Sequence, residues 1–161
     1  MIILVMGVSG SGKTTIGKML AEDLQWEFQD ADAFHPAANI EKMSHDIPLS
    51  DADRLPWLQA MQQAIAKWLQ EGKNVVLACS ALRASYRQQL YQDQEQVRVV
   101  YLKGSFELIK HRLEHRHGHF MKTGLLCSQF DTLEEPEDAI KMDISQSPAV
   151  IVQQIRNCLG I

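Results

Sequence analysis

The chain has little of several things that would commit it to a class. Its 161 residues include three cysteines, Cys79, Cys127 and Cys158. That is an odd number without Cys-x-x-Cys spacing, which suggests neither a disulfide framework nor a zinc site and points to a reducing compartment. Lysines and arginines form no run, and the net charge is -4 with a pI near 5.8. The basic face expected of a nucleic-acid binder is therefore missing. No apolar run approaches the ~20 residues of a membrane span, and the apolar start lacks a basic flank, so neither a transmembrane helix nor a signal peptide is expected. Internal repeats, linkers and low-complexity stretches are absent too. With 45% hydrophobic residues, this length can bury one good core, and a single domain over 1–161 is expected. These absences lead to a soluble, cytoplasmic protein without nucleic-acid or membrane partners.

What is present begins at GVSGSGKTT, residues 7–15. Glycines give up side chains so that backbone N–H groups approach something closely, and an anion is what such groups favour. The spacing Gly7-x-x-x-x-Gly12-Lys13-Thr14 is the P-loop pattern: amides cradle phosphates, the lysine reaches the outer ones and the hydroxyl ligates Mg²⁺. The flanks agree. Residues 2–6, IILVM, read as a buried strand, and Ile16, Met19, Leu20 and Leu24 recur at helical spacing. Gly7, Val8, Ser9, Gly10, Ser11, Gly12, Lys13, Thr14 and Thr15 are the candidate phosphate-binding residues, with Lys13 also catalytic and Thr14 a metal ligand.

Further strand-like runs occur at 26–28, 74–80, 97–102 and 139–144, separated by helical patterns at 53–71, 83–91, 105–116, 124–135 and 148–158. This alternation predicts an α/β fold, a parallel sheet of about five strands flanked by helices, with ligand chemistry at the carboxyl ends of the strands. Helix 53–71 is well marked, with Asp51 or Asp53 as cap, Pro56 in the first turn and Gly72 as the stop. Trp57 and Trp68 read as core or cover.

A P-loop alone names no reaction. After the second strand comes DADAFHPAAN, residues 30–39. In an extended segment two carboxylates at spacing two point to opposite sides, which assigns Asp30 to the metal and Asp32 to an acceptor hydroxyl as orienter and proton acceptor. An Asx-type turn or helix cap is the alternative for the pair.

Together with PLSDADRLPWL (48–58), CSALRASYR (79–87), YLKG (101–104), GHF (118–120) and TLEEP (132–136), this stretch resembles the P-loop gluconokinases, from the loop to about residue 144. The resemblance implies a three-layer kinase fold of the shikimate-kinase and adenylate-kinase type with a mobile lid at about 116–124. It also implies a possible homodimer, and transfer of phosphate from ATP to the 6-hydroxyl of D-gluconate. The chain departs from the family at Asp46, where glycine is usual. Asp tolerates left-handed backbone better than most residues.

A sugar acid needs a fixed cation, and the planar fork of arginine suits its carboxylate. Arg54, Arg83 and Arg87 are the candidates; each alone reads equally as an ordinary surface arginine, and the resemblance favours Arg54 and Arg83. His35 and Lys42 are further substrate-binding candidates, with capping and solvation as their alternatives. In HRLEHRHGHFMK, 111–122, Arg112 is a nucleotide contact and Arg116 a catalytic lid residue closing on the triphosphate. His111 and His115 sit one turn apart, but no cysteine or carboxylate set completes a zinc site. The chain has no Asn-Lys-x-Asp guanine motif. A kinase for another hydroxylated acid such as shikimate, or for a nucleoside or nucleotide, is the alternative function.

Overall fold

A computed structural model describes residues 1–91, 95–115 and 123–161, with the backbone alone at 123–125. Strands β1 (Ile2–Met6), β2 (Glu27–Asp30), β3 (Val75–Ala78), β4 (Val97–Lys103) and β5 (Ile140–Asp143) form one sheet in the order β2-β3-β1-β4-β5, every pair parallel. The interior place of β1 agrees with its burial: all five of its residues are apolar and inaccessible, as a strand covered on both faces allows.

Helices α1 (Lys13–Leu24), α2 (Ala37–Ser44), α3 (Asp51–Gln70), α4 (Ala84–Leu90), α5 (Phe106–Glu114), α6 (Thr123–Thr132) and α7 (Pro148–Leu159) account for the helical segments among the described residues. The period of two along β1 sorts the layers. Ile3 and Val5 pack with Ile16 and Leu20 of α1, Ile109 of α5 and Ile151 of α7. Ile2 and Leu4 pack with Trp57, Met61 and Ile65 of α3 and Leu90 of α4. The sheet is thus the middle of three layers, as expected, and truncating Ile3 or Leu4 to alanine would cost about 2–5 kcal/mol. Among the described residues no helix is long and apolar enough to cross a membrane.

Several boundaries differ from expectation for local reasons. The cap of α3 is Ser50, not Asp51 or Asp53. Ser50 Oγ accepts from Asp53 N, and the Asp53 carboxylate accepts from Ser50 N, a capping box. Pro56 consequently lies in the second turn rather than the first. Gly72 does end the helix with φ +68°. Residues 31–34 curl into a 3₁₀ turn instead of remaining extended, and α2 has no counterpart among the expected elements. Asp46 adopts φ +57°, so the left-handed turn survives without glycine.

Candidate active site

The loop between β1 and α1 has the shape its glycines permit. Gly10 (φ +79°) and Gly12 (φ +97°) are left-handed, a conformation that L side chains rarely adopt. Helix α1 begins at Lys13 with no side-chain cap bond and no acidic residue in its first turn. Its leading N–H groups and the positive end of its dipole therefore face the loop without a built-in anion, the arrangement that suits a phosphate. Lys13 Nζ donates to Val8 O at 3.1 Å, and Ser11 N donates to the same carbonyl at 3.2 Å. Val8 is buried, and Gly7 sits so close to Ser11 that a Cβ there would meet Ser11 Oγ at 2.5 Å. These two residues shape the loop rather than line its cavity. Ser11 Oγ is a buried hydroxyl with no hydrogen-bond partner.

A cavity of about 500 Å³ opens at the carboxyl ends of β1, β2 and β3. Ser9, Gly10 and Gly12 to Thr15 of the loop line it, as do Asp30, Asp32, His35, Arg54, Trp57, Cys79, Ser80, Leu113, Ser128 and Gln129. Met43, Ile47, Pro48 and Leu49 supply an apolar wall. The two carboxylates do meet here, but not because the segment is extended. Asp30 Oδ1 accepts from Asp32 N at 3.0 Å and caps the 3₁₀ turn, while Oδ2 accepts from Thr14 Oγ1 at 3.2 Å. The turn-forming reading of Asp30 is met by Oδ1, and Oδ2 is turned toward Thr14 of the loop. A threonine hydroxyl beside a carboxylate is a donor set of the hard-oxygen kind that Mg²⁺ takes, so these residues fit that ion.

His35 stacks flat on Trp57, ring centroids 4.5 Å apart at 8°. Trp57 Nε1 in turn donates to Ala31 O at 2.8 Å. Burial first, and the Arg54 charge second, lower the His35 pKa to about 4, so the ring is neutral at pH 7. Asn39 Nδ2 lies 3.2 Å from His35 Nδ1 and donates to Asp53 O at 2.7 Å. An amide nitrogen only donates, so Nδ1 accepts and the proton is assigned to Nε2. His35 is therefore a neutral donor at the cavity wall.

The candidate cations separate. Arg54 lines the cavity; its Nη1 donates to Tyr86 Oη at 3.1 Å, and Tyr86 Oη donates to Asp51 Oδ1. Arg83 lies 3.6 Å from Asp51 Oδ2 and does not line the cavity. Arg87, expected to meet substrate, is instead buried, donating to Ala81 O, Leu82 O and Glu134 O. That lattice of carbonyls leaves its guanidinium no reach to the site, and burial lowers its pKa. Lys42 is likewise corrected: its ammonium lies 2.9 Å from both oxygens of Asp53, which it holds at a pKa of about 2. Arg112 donates to Ile144 O and lines a second cavity of about 250 Å³, beside Gly10, Gly12 and Thr15, with apolar walls from Leu113, Ile144 and Ile151. Arg116 and most of the expected lid fall outside the described residues. Cys79 is buried beside the loop, and burial pushes its thiol up to about 12. The His111 and His115 rings lie 4.1 Å apart, and among the described residues no group of three metal-ligating side chains forms.

Sequence reading missed Tyr86, Gln129, Ser128 and the apolar wall. The quoted CSALRASYR stretch contains Tyr86 and the quoted PLSDADRLPWL stretch contains Pro48 and Leu49, but none of the three carried a local signal.

The shikimate kinase family model matches residues 9–155. The chain is 45% identical to the probable gluconokinase of Xenopus tropicalis, covering 96% of this chain and 91% of the relative. It is 44% identical to the gluconokinase of Gluconobacter oxydans, covering 95% and 88%. The solved gluconokinase of Sinorhizobium meliloti superposes with a TM-score of 0.87 at 42% identity, covering 98% and 90%. With this identity along nearly its whole length, the chain belongs to the gluconokinase family.

Proposed function

We propose that the chain transfers the γ-phosphate of ATP to the 6-hydroxyl of D-gluconate, giving 6-phospho-D-gluconate and ADP. One observation carries the reading: Lys13 and Thr14, the acids Asp30 and Asp32, and the guanidinium of Arg54 line one cavity, in a chain 44–45% identical to gluconokinases. A shikimate or nucleoside acceptor has less support, since the most similar relatives carry the gluconokinase name.

Phosphoryl transfer asks a protein for positioning and charge stabilisation more than for covalent chemistry. The loop amides of Gly10 and of Gly12 to Thr15 hold the phosphates, and Lys13 exchanges its Val8 carbonyl for the outer phosphate oxygens. Thr14 and Asp30 would hold Mg²⁺, Asp30 through water, and the ion would supply neutralisation of phosphate charge there. Asp32 orients the acceptor hydroxyl and takes its proton as the new O–P bond forms and the bond to ADP breaks. Arg54 forks onto the gluconate carboxylate, and His35 Nε2–H donates to a substrate oxygen. Arg112 and the second cavity receive the base end of ATP. Arg116 would add charge from the lid, a role that rests on the sequence alone. Arg83, three links from Arg54 through Asp51 and Tyr86, supports the carboxylate site electrostatically. A homodimer is proposed on the family resemblance, and a cytoplasmic location on the unpaired thiols Cys79, Cys127 and Cys158.

The test is ATP consumption with gluconate against shikimate, nucleosides and sorbitol. A neutral polyol gives the cavity-facing guanidinium of Arg54 no carboxylate partner, and sites built to pair a substrate group discriminate by as much as about 10⁴-fold. Gluconate should be strongly preferred, and Arg54→Ala should shrink that preference. Sorbitol phosphorylated as well as gluconate would refute the sugar-acid reading.

A further inference from the structure

Ser9 is the third residue of the P-loop, between buried Val8 and left-handed Gly10. Its backbone N–H donates to Gln129 Oε1 at 2.7 Å, and Gln129 Nε2 donates back to Ser9 Oγ at 3.0 Å. One primary amide thus grips both the main chain and the side chain of a single loop residue, from 120 positions away on α6. Both residues line the main cavity. On its other side the loop is wedged under α5: a Cβ at Gly10 would meet Leu113 Cγ at 2.9 Å.

A phosphate cradle works only if its amides are held in place before the anion arrives, yet glycine-rich backbone loses more conformational freedom on ordering than any other. The end of the loop is held by α1, through the Ile16 N–H to Gly12 O at 2.8 Å. Its start is held by β1. The middle has no regular structure, and the Gln129 amide supplies there the paired bonds that a neighbouring strand would supply elsewhere.

We propose that Gln129 is a positioning residue for phosphoryl transfer, holding Ser9 and so presetting the P-loop for the ATP triphosphate. The inference rests on the loop being the ATP site. Losing two neutral hydrogen bonds that act on one site corresponds to about a tenfold change. Gln129→Ala should therefore raise KM for ATP–Mg²⁺ about tenfold, leave KM for gluconate within about twofold and leave the Tm of the ligand-free protein nearly unchanged. Gln129→Glu keeps two acceptors for the Ser9 N–H and O–H but sets a charge beside the triphosphate. Its ATP defect should fade as salt rises to about 0.3 M, where exposed charges are screened beyond several ångströms, whereas the alanine defect should persist. An unchanged KM for ATP in Gln129→Ala overturns the proposal. So does a parallel rise in both KM values with a lowered Tm, which would mark a loosened fold. Lys13→Ala serves as the control: intact ATP affinity and turnover there would sink the P-loop reading itself, and the role of Gln129 with it.

Discussion

Acidification should weaken this fold through one identifiable side chain, His35. The ring is half-buried, stacked on Trp57, and reads Asn39 through Nδ1; its pKa falls from 6.5 to about 4, by burial first and the Arg54 charge second. In the unfolded chain the imidazole takes up a proton near pH 6.5, whereas the folded one resists until about pH 4. The unfolded state thus binds more protons across that window, so stability is fully present above pH 6.5 and lost as pH falls toward 4. Between about pH 7.5 and about pH 5 the full shift represents about 2 kcal/mol. Solvent on the open side of the ring screens part of it, so about 1 kcal/mol is expected. Urea unfolding of the wild type and of His35→Gln at the two pH values isolates this contribution, because every other titrating group is shared. Asp53, held at a pKa of about 2 chiefly by its hydrogen bond from Lys42, loses its contribution only below 3.8 and stays outside the assay. The stability advantage of the wild type over the variant should shrink by about 1 kcal/mol on going to pH 5. A difference that is the same at both pH values would refute the burial of a neutral imidazole.

Asp32→Asn keeps the shape of the side chain and loses its basicity, so ATP–Mg²⁺ should still bind while transfer to gluconate falls about 10²-fold or more; a loss of only a few-fold would mean that Asp32 orients without accepting the proton. Arg87→Met retains the buried stem but leaves the carbonyls of Ala81, Leu82 and Glu134 without their donor. Denaturant titration should show a loss of about 3 kcal/mol with KM for both substrates unchanged, and a selective rise in KM for gluconate would instead return Arg87 to the substrate site.

The loop was legible because it is local. A strand, a glycine loop and a helix N-terminus follow one another within Ile2–Leu24, so spacing alone specifies their arrangement. The parallel sheet was legible for a similar reason, since a strand buried on both faces must be apolar at every position, as β1 is. Sequence patterns also placed Asp30 and Asp32 at the site, though by an extended geometry that the structure replaces with a 3₁₀ turn, because the Asp30 carboxylate finds a backbone N–H two residues on. What only the tertiary structure decided is which of several similar side chains faces the cavity. Arg54, Arg83 and Arg87 are alike as residue types, but a guanidinium acts where it lacks internal acceptors. Arg87 meets three carbonyls brought to it by the 81–82 and 134 loops, Lys42 meets Asp53 across the gap between α2 and α3, and Arg54 meets one tyrosine hydroxyl and the open cavity. Gln129 was invisible in the same way. Its partner lies 120 residues distant, and no periodicity or motif spacing encodes a contact that exists only once α6 has packed beside the loop between β1 and α1.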